Sequence, residues 1–145
     1  MTVTLSNPKG LPPPTGYSQV AEVTRGKIVL IAGQVAHDAA GTLVGANDFG
    51  AQVEQIFKNL DAAVRAAGGT FKDIVKINNY CVASVDPAEI ATYRKIRDRY
   101  FDMAAPPTST FIYVSRLVRP DWLFEIDAMA VIDRDDDGPA GRRPS

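Results

Sequence analysis

The sequence predicts an α+β fold in which one sheet carries two helices on a single face. Three observations lead there. Short β-rich runs and amphipathic stretches succeed one another in the order β-β-α-β-α-β-β, a pattern typical of helices segregated to one side of a sheet. The apolar residues switch between a period near 3.6 and a period of 2 along the chain. Finally, 145 residues suffice for one domain with a real core and are too few for two comfortable ones.

The elements follow in order. Residues 1–15 hold four of the ten prolines and read as an extended lead-in, with no element of their own. YSQVAEV and KIVLIAG are β-rich and flank Arg25-Gly26, which predicts a hairpin. HDAAGTLVGAND is a loop whose last residue, Asp48, is a helix N-cap candidate. Val53, Ile56, Phe57, Leu60 and Val64 then recur at helical spacing, and Gly68-Gly69 should end that helix. IVKINNYCVA is a strand. Asp86-Pro87 opens a second helix with Asp86 as cap and Pro87 in the first turn, placing Ile90, Tyr93, Ile96, Arg97 and Tyr100 near one face. TSTFIYVSRL and WLFEIDAMAVI are the last two strands, on either side of Val118-Arg119-Pro120-Asp121. From Arg134 the chain has little apolar content, so residues 134–145 are expected to form a disordered tail. One domain over residues 1–133, lead-in included, is the resulting organisation.

Composition narrows the function. Lys+Arg 16 against Asp+Glu 17 gives a net charge of −1, which offers no electrostatic case for nucleic acid. A single cysteine, Cys81, precludes an internal disulfide framework and fits a reducing compartment. No apolar run approaches the ~18 residues of a membrane span, and the N-terminus lacks the layout of a signal peptide. A cytoplasmic protein without membrane or nucleic-acid partners is expected. His37-Asp38 lies in a loop with no other histidine to complete a metal site, so no metal is expected. Cys81 reads as a buried structural thiol.

The chemistry concentrates in the final strand. Alternation puts Trp122, Phe124, Ile126, Ala128 and Ala130 on one uniformly apolar face, destined for the helices. Leu123, Glu125, Asp127, Met129 and Val131 form the other, two acids bracketed by apolar residues. Carboxylates in such a place either pair with a base, stay solvated, or border a pocket where the sheet meets another subunit.

Several segments, IVLIAGQV, QIFKNLDAAVRAAGGTFKDIVKINNYCV, YRKIRDRYF, APPTST and WLFEIDAMAV, occur in an order and spacing that resemble the RidA (YjgF) family of reactive-intermediate deaminases, over Gly16 to Ile132. The resemblance implies a chorismate-mutase-like two-layer sandwich with a mixed sheet, assembled as a homotrimer with pockets between subunits. It implies hydrolysis of enamines or imines without a cofactor. Glu125, in the E-I-D-A stretch, would hold the attacking water, Tyr17 would be the pocket tyrosine, and Gly33 the glycine whose backbone approaches the ligand. Asp127, one strand step deeper, would satisfy backbone or interface donors.

One departure matters. Where deaminating members carry an arginine after a Pro-Ala pair to grip the substrate carboxylate, this chain has Ser109 in the run Pro107-Thr108-Ser109-Thr110. Arg94, on the second helix, and Arg119, in the turn before the last strand, are the cations that could substitute; the alternative for each is a solvated surface position. Two functions therefore stay open: a deaminase whose substrate is not simple 2-aminoacrylate, or a non-catalytic trimer binding a small metabolite. A ribonuclease or translation inhibitor, an older label in the family, is disfavoured by the charge balance.

Overall fold

The computed structural model describes residues 2–133; the tail expected at 134–145 lies outside them. Strands β1 (Val3–Ser6) and β2 (Val20–Val23) form a two-stranded antiparallel sheet. Strands β3 (Lys27–Gln34), β4 (Ile74–Val82), β5 (Thr108–Val114) and β6 (Phe124–Ile132) form a four-stranded sheet in the order β3-β6-β4-β5. Helix α1 (Phe49–Ala66) precedes β4, and α2 (Ile90–Tyr100) carries the crossover from β4 to the parallel strand β5. A short 3₁₀ turn leads into β4 (Phe71–Asp73) and another into α2 (Pro87–Glu89). The mixed sheet under two helices matches the predicted fold class.

Helix α1 starts where Asp48 accepts a hydrogen bond from the Ala51 amide, satisfying a donor that the first turn leaves without a partner. Its periodic residues Val53, Ile56, Phe57, Leu60 and Val64 are all fully buried. Asp86 caps the 3₁₀ turn that runs into α2, with Pro87 in its first position. On β6 the alternation is as expected: Phe124, Ile126, Ala128 and Ala130 are buried beneath the helices, in one core with Phe57, Tyr93 and Ile96.

Two expectations are corrected. Residues 1–15 are not merely a lead-in, because Val3–Ser6 pairs with Val20–Val23. Its end is tied down by Asp133, which accepts hydrogen bonds from the Thr2 hydroxyl and from Arg25 Nε. The two strands flanking Arg25-Gly26 also do not pair with each other. Gly26 makes the turn with φ +115°, but β2 joins β1 while β3 pairs with β6. The hairpin signal marked a real turn and the wrong partner.

The sheet face away from the helices is largely uncovered. Ile28, Leu30 and Ile112, which lie at the registers of Val131, Met129 and Tyr80, are 62%, 73% and 43% exposed. Val131, although on the same face, is already buried at the end near the two-stranded sheet.

Candidate functional site

Two clusters on opposite faces of the four-stranded sheet hold all of the candidate residues except Arg119. Register fixes this. Glu125 pairs with Tyr80, which pairs with Ile112, and all three belong to the open face. Ser109 pairs with Ile77, which pairs with Ala128, and the fully buried Ile77 belongs to the helix face.

On the open face, Glu125 is half-buried and lies over Gly33. A Cβ on Gly33 would stand 2.2 Å from Glu125 Oε2 and 2.9 Å from its Cδ. The absent side chain at 33 is thus the space the carboxylate occupies, a close approach only glycine allows. Two strand positions away, Asp127 accepts from Asn78 Nδ2 and from the Tyr80 hydroxyl, both at 2.8 Å. Both of these partners are side chains of the neighbouring strand in the same chain, in place of the backbone donors expected. The Tyr80 phenol is pushed up by donating to Asp127 and, secondarily, by burial. Partial burial, with Asp127 nearby adding like charge, raises the Glu125 carboxyl above the ordinary carboxylate range. The two acids of the final strand differ in kind: one is anchored by two donors and one is left with its proton affinity increased.

On the helix face, a pocket of about 350 Å³ opens at the β5 edge, and Tyr17, Arg94 and Ser109 all line it. Tyr17 is brought there by its neighbour Ser18, whose amide donates to the Pro107 carbonyl and whose hydroxyl donates to that of Pro106. These bonds stitch the segment before β2 onto the start of β5. Arg94 arrives from α2 and makes no hydrogen bond or ion pair within the described residues. Sequence reasoning had set Arg97 on the packed face of α2; it too lines the pocket, with Tyr93 and Phe111. The signal was available, since Arg94 and Arg97 are three residues apart and therefore helical neighbours. Asn79 is fully buried behind the pocket, donating to Ser109 Oγ at 3.0 Å.

Arg119 is elsewhere. Its guanidinium lies over the Trp122 ring, 5.7 Å from the centroid, and it does not line the pocket. Trp122 in turn donates its indole N–H to His37 Nε2 at 3.0 Å, while Asp38 accepts from the Ala40 and Thr42 amides to shape its loop. Among the described residues no group of three or more His, Cys, Asp or Glu is arranged to hold a metal ion. Cys81 is buried, and burial pushes its thiol up to about 11, which keeps it protonated and inert. Another hollow, of about 450 Å³, lies between β1 and the Phe71–Asp73 turn, and none of the candidate site residues reach it. No helix of the described residues is long and apolar enough to cross a membrane.

A family model described as Endoribonuclease L-PSP matches residues 9–132. The chain belongs to the RidA/YjgF family. Protein DfrA of Myxococcus xanthus is 34% identical over 124 residues, covering 86% of this chain and 88% of the relative. A RutC family protein of Synechocystis sp. is 32% identical over 133 residues, covering 91% and 98%. Among solved structures, YyfB of the Rid family from Yersinia pestis superposes with a TM-score of 0.82 at 38% identity, over 91% of this chain and all of that one. RidA from an Antarctic Psychrobacter superposes with a TM-score of 0.64 at 28% identity, over 89% and 99%. The RidA/YjgF likeness therefore runs the length of the described domain, both clusters included.

Proposed function

We propose that this RidA/YjgF member hydrolyses small enamines or imines to carbonyl compounds and ammonia, and that its substrate is not simple 2-aminoacrylate. The observation that carries the reading is Glu125: a half-buried carboxylate with raised proton affinity, aimed over a glycine. A general acid–base group works best when its pKa is moved toward the working pH, as burial does here. In the reaction an enamine first takes a proton on carbon and loses one from nitrogen to become the imine. Water then adds to the imine carbon, forming a C–O bond as the C=N electron pair moves to nitrogen. Glu125 accepts the proton from that water and returns one to the nitrogen. The carbinolamine hydroxyl then passes its proton, by way of Glu125, to the nitrogen, the O–H electron pair forms C=O, and the C–N bond breaks with its pair leaving on ammonia. An imine carbon is already electrophilic, so the steps need only a placed water and a proton carrier.

The site would be completed by assembly. Within one chain the Glu125–Gly33 cluster and the Tyr17–Arg94–Ser109 cluster are separated by the sheet, whereas a homotrimer packed through the open faces would set one chain's Glu125 beside the next chain's pocket. The exposed Ile28, Leu30 and Ile112, with the half-buried Leu123 and Met129, supply the apolar surface for that packing. A second reading, a trimer that binds a small metabolite without turning it over, is favoured by Ser109, since a hydroxyl lacks the charge and the two-pronged geometry of a guanidinium.

Ammonia release from freshly generated imines of several side-chain classes separates the readings. Glu125→Gln keeps shape and polarity but cannot carry the proton, so turnover should fall by roughly 10²–10⁴ with the fold retained. Full turnover in that variant would overturn the role of Glu125. Binding of imine-derived carbonyl compounds without any ammonia release would favour the second reading.

A further inference from the structure

The wall of the Ser109 pocket contains a hydrogen-bond chain with only one consistent direction. The Thr110 carbonyl can only accept, so the Asn79 atom 2.9 Å from it is the amide nitrogen. That nitrogen also donates to Ser109 Oγ at 3.0 Å. Asn79 Oδ1 therefore faces Tyr93, whose phenol donates to it at 2.7 Å. Asn79 and Tyr93 are 1% and 3% exposed, so bulk water does not compete for these groups. Ser109 Oγ has accepted one bond and keeps its own hydrogen, which has no protein acceptor within the described residues. The buried amide thus presets Ser109 as a donor toward the pocket.

Two guanidinium groups join it. Arg97 is mostly buried, with 13% of its side chain exposed. Asp98 holds it through Nε at 2.9 Å and Nη2 at 2.8 Å, leaving Nη1 and the second Nη2 hydrogen for a ligand, and the guanidinium carbon lies 5.7 Å from the centre of the Tyr93 ring. Its terminal nitrogens lie directly under Gly16, where a Cβ would come within 2.7 and 2.9 Å of them. Gly16 itself has φ +78°, so both conformation and the arginine exclude a side chain there. Arg94, three residues earlier, has no hydrogen-bond or ion-pair partner among the described residues. Among the described residues no carboxylate lines the pocket itself, Asp98 only backing Arg97, while three aromatic rings do line it: Tyr17, Tyr93 and Phe111. One guanidinium paired with Asp98, a second with no partner among the described residues, a preset hydroxyl donor and aromatic walls in about 350 Å³ describe a receptor for an anion with a flat apolar body.

Resting on the reading above for its place as the substrate pocket, we propose that this site selects acids with an aromatic side chain, Arg97 and Ser109 gripping the carboxylate with Arg94 at the mouth, so that the preferred substrates are aromatic 2-imino acids. Specificity then comes from α2 and a neutral donor, in place of a single arginine on β5.

Calorimetry with stable 2-oxo acids tests this apart from turnover. The probes are phenylpyruvate, the aliphatic 4-methyl-2-oxopentanoate, and pyruvate. Phenylpyruvate should bind at least about tenfold more tightly than either of the others. Arg97→Met and Ser109→Ala should each weaken it by roughly ten- to a hundredfold, the range for losing a hydrogen bond to a charged group. Ser109→Thr, which keeps the hydroxyl, should recover most of the binding, an outcome that a purely structural role for Ser109 does not predict. Equal affinity for the three acids, or phenylpyruvate binding indifferent to both Arg97→Met and Ser109→Ala, would overturn the proposal. Should Arg97→Met fail to fold, Arg94→Met on the exposed side of α2 together with the Ser109 pair decides it by the same criterion. Ammonia release is measured separately: tight, Arg97-dependent binding without deamination of any imine retains this inference and removes the deaminase reading, whereas deamination indifferent to Arg97 and Ser109 does the reverse.

Discussion

Gly33→Ala isolates the placement of the Glu125 carboxylate from its chemistry. The new methyl would stand 2.2 Å from Oε2, against an ordinary contact of about 3.5 Å, so the carboxylate must retreat by roughly 1 Å. The clash is with the far end of a side chain that has three rotatable bonds, and Gly33 is not in the left-handed region, so the backbone accepts alanine. The fold should therefore absorb the change, and the melting temperature should move by no more than about 2–3 °C, equivalent to under about 1 kcal/mol for a chain of this size. Turnover is another matter. A misplacement of about 1 Å in a catalytic group is enough to cost on the order of 10²-fold, and that loss is expected here. Ammonia release from an accepted imine and thermal melting on the same preparation make the assay. Full turnover at an unchanged melting temperature would refute the assignment of Glu125 to the water. A large fall in melting temperature would instead refute the view that the carboxylate can give way.

Asp127→Asn should act in the opposite sense, since the amide cannot accept from both Asn78 and Tyr80 while presenting its own donors to them. A loss of about 1.5–3 kcal/mol is expected in chemical denaturation, with turnover of the folded protein largely kept. The pH dependence of Glu125 has a definite sign: its folded-state value is raised by burial and by Asp127, so the stability it contributes is full below the unfolded value and is lost as pH rises through the folded one. Glu125→Gln should therefore flatten the denaturation midpoint over the acid side of neutrality, and wild-type turnover should rise with pH along a limb lying above the ordinary glutamate value of about 4.3. Light scattering should give the mass of three subunits, and Leu30→Asp, at a position 73% exposed in the single chain, should shift it toward monomer and abolish activity together. Turnover of 2-aminoacrylate, followed by ammonia release, should be weak, and Ser109→Arg should raise it.

What could be read in the sequence was mostly local. The period of Val53 to Val64 with Asp48 ahead of it, the Asp86-Pro87 start, and the alternation from Phe124 to Ala130 are each decided within a dozen residues, and each formed as read except that Asp86-Pro87 opens a 3₁₀ turn and α2 itself begins at Ile90. Pairing was not legible where the partner is remote. β1 is only four residues long, and its partner β2 lies beyond Pro8 and the proline run 12–14, so composition hid it. β6 enters between β3 and β4, an arrangement that no turn signal encodes. The same limit applied to the site. Glu125 and Asp127 stood out as acids in an apolar strand, but their difference depends on Asn78, Tyr80 and Gly33, which come from other strands. Arg97 was hidden by its own helical period, because one face of α2 serves both the core and the pocket.

The placement of Ser109 and Glu125 on opposite sides of one sheet also bears on how such a gene tolerates damage. Under the proposed assembly every site is a joint product of two polypeptides, each lending a different half. Two alleles, one crippled at the Glu125 half and one at the Ser109 half, would each be silent alone yet partly restore one another when coexpressed, because some neighbouring subunits would pair two intact halves. Conversely, a chain defective in both halves would impair two sites of any ring that it entered, and so weigh on its healthy neighbours beyond its own share.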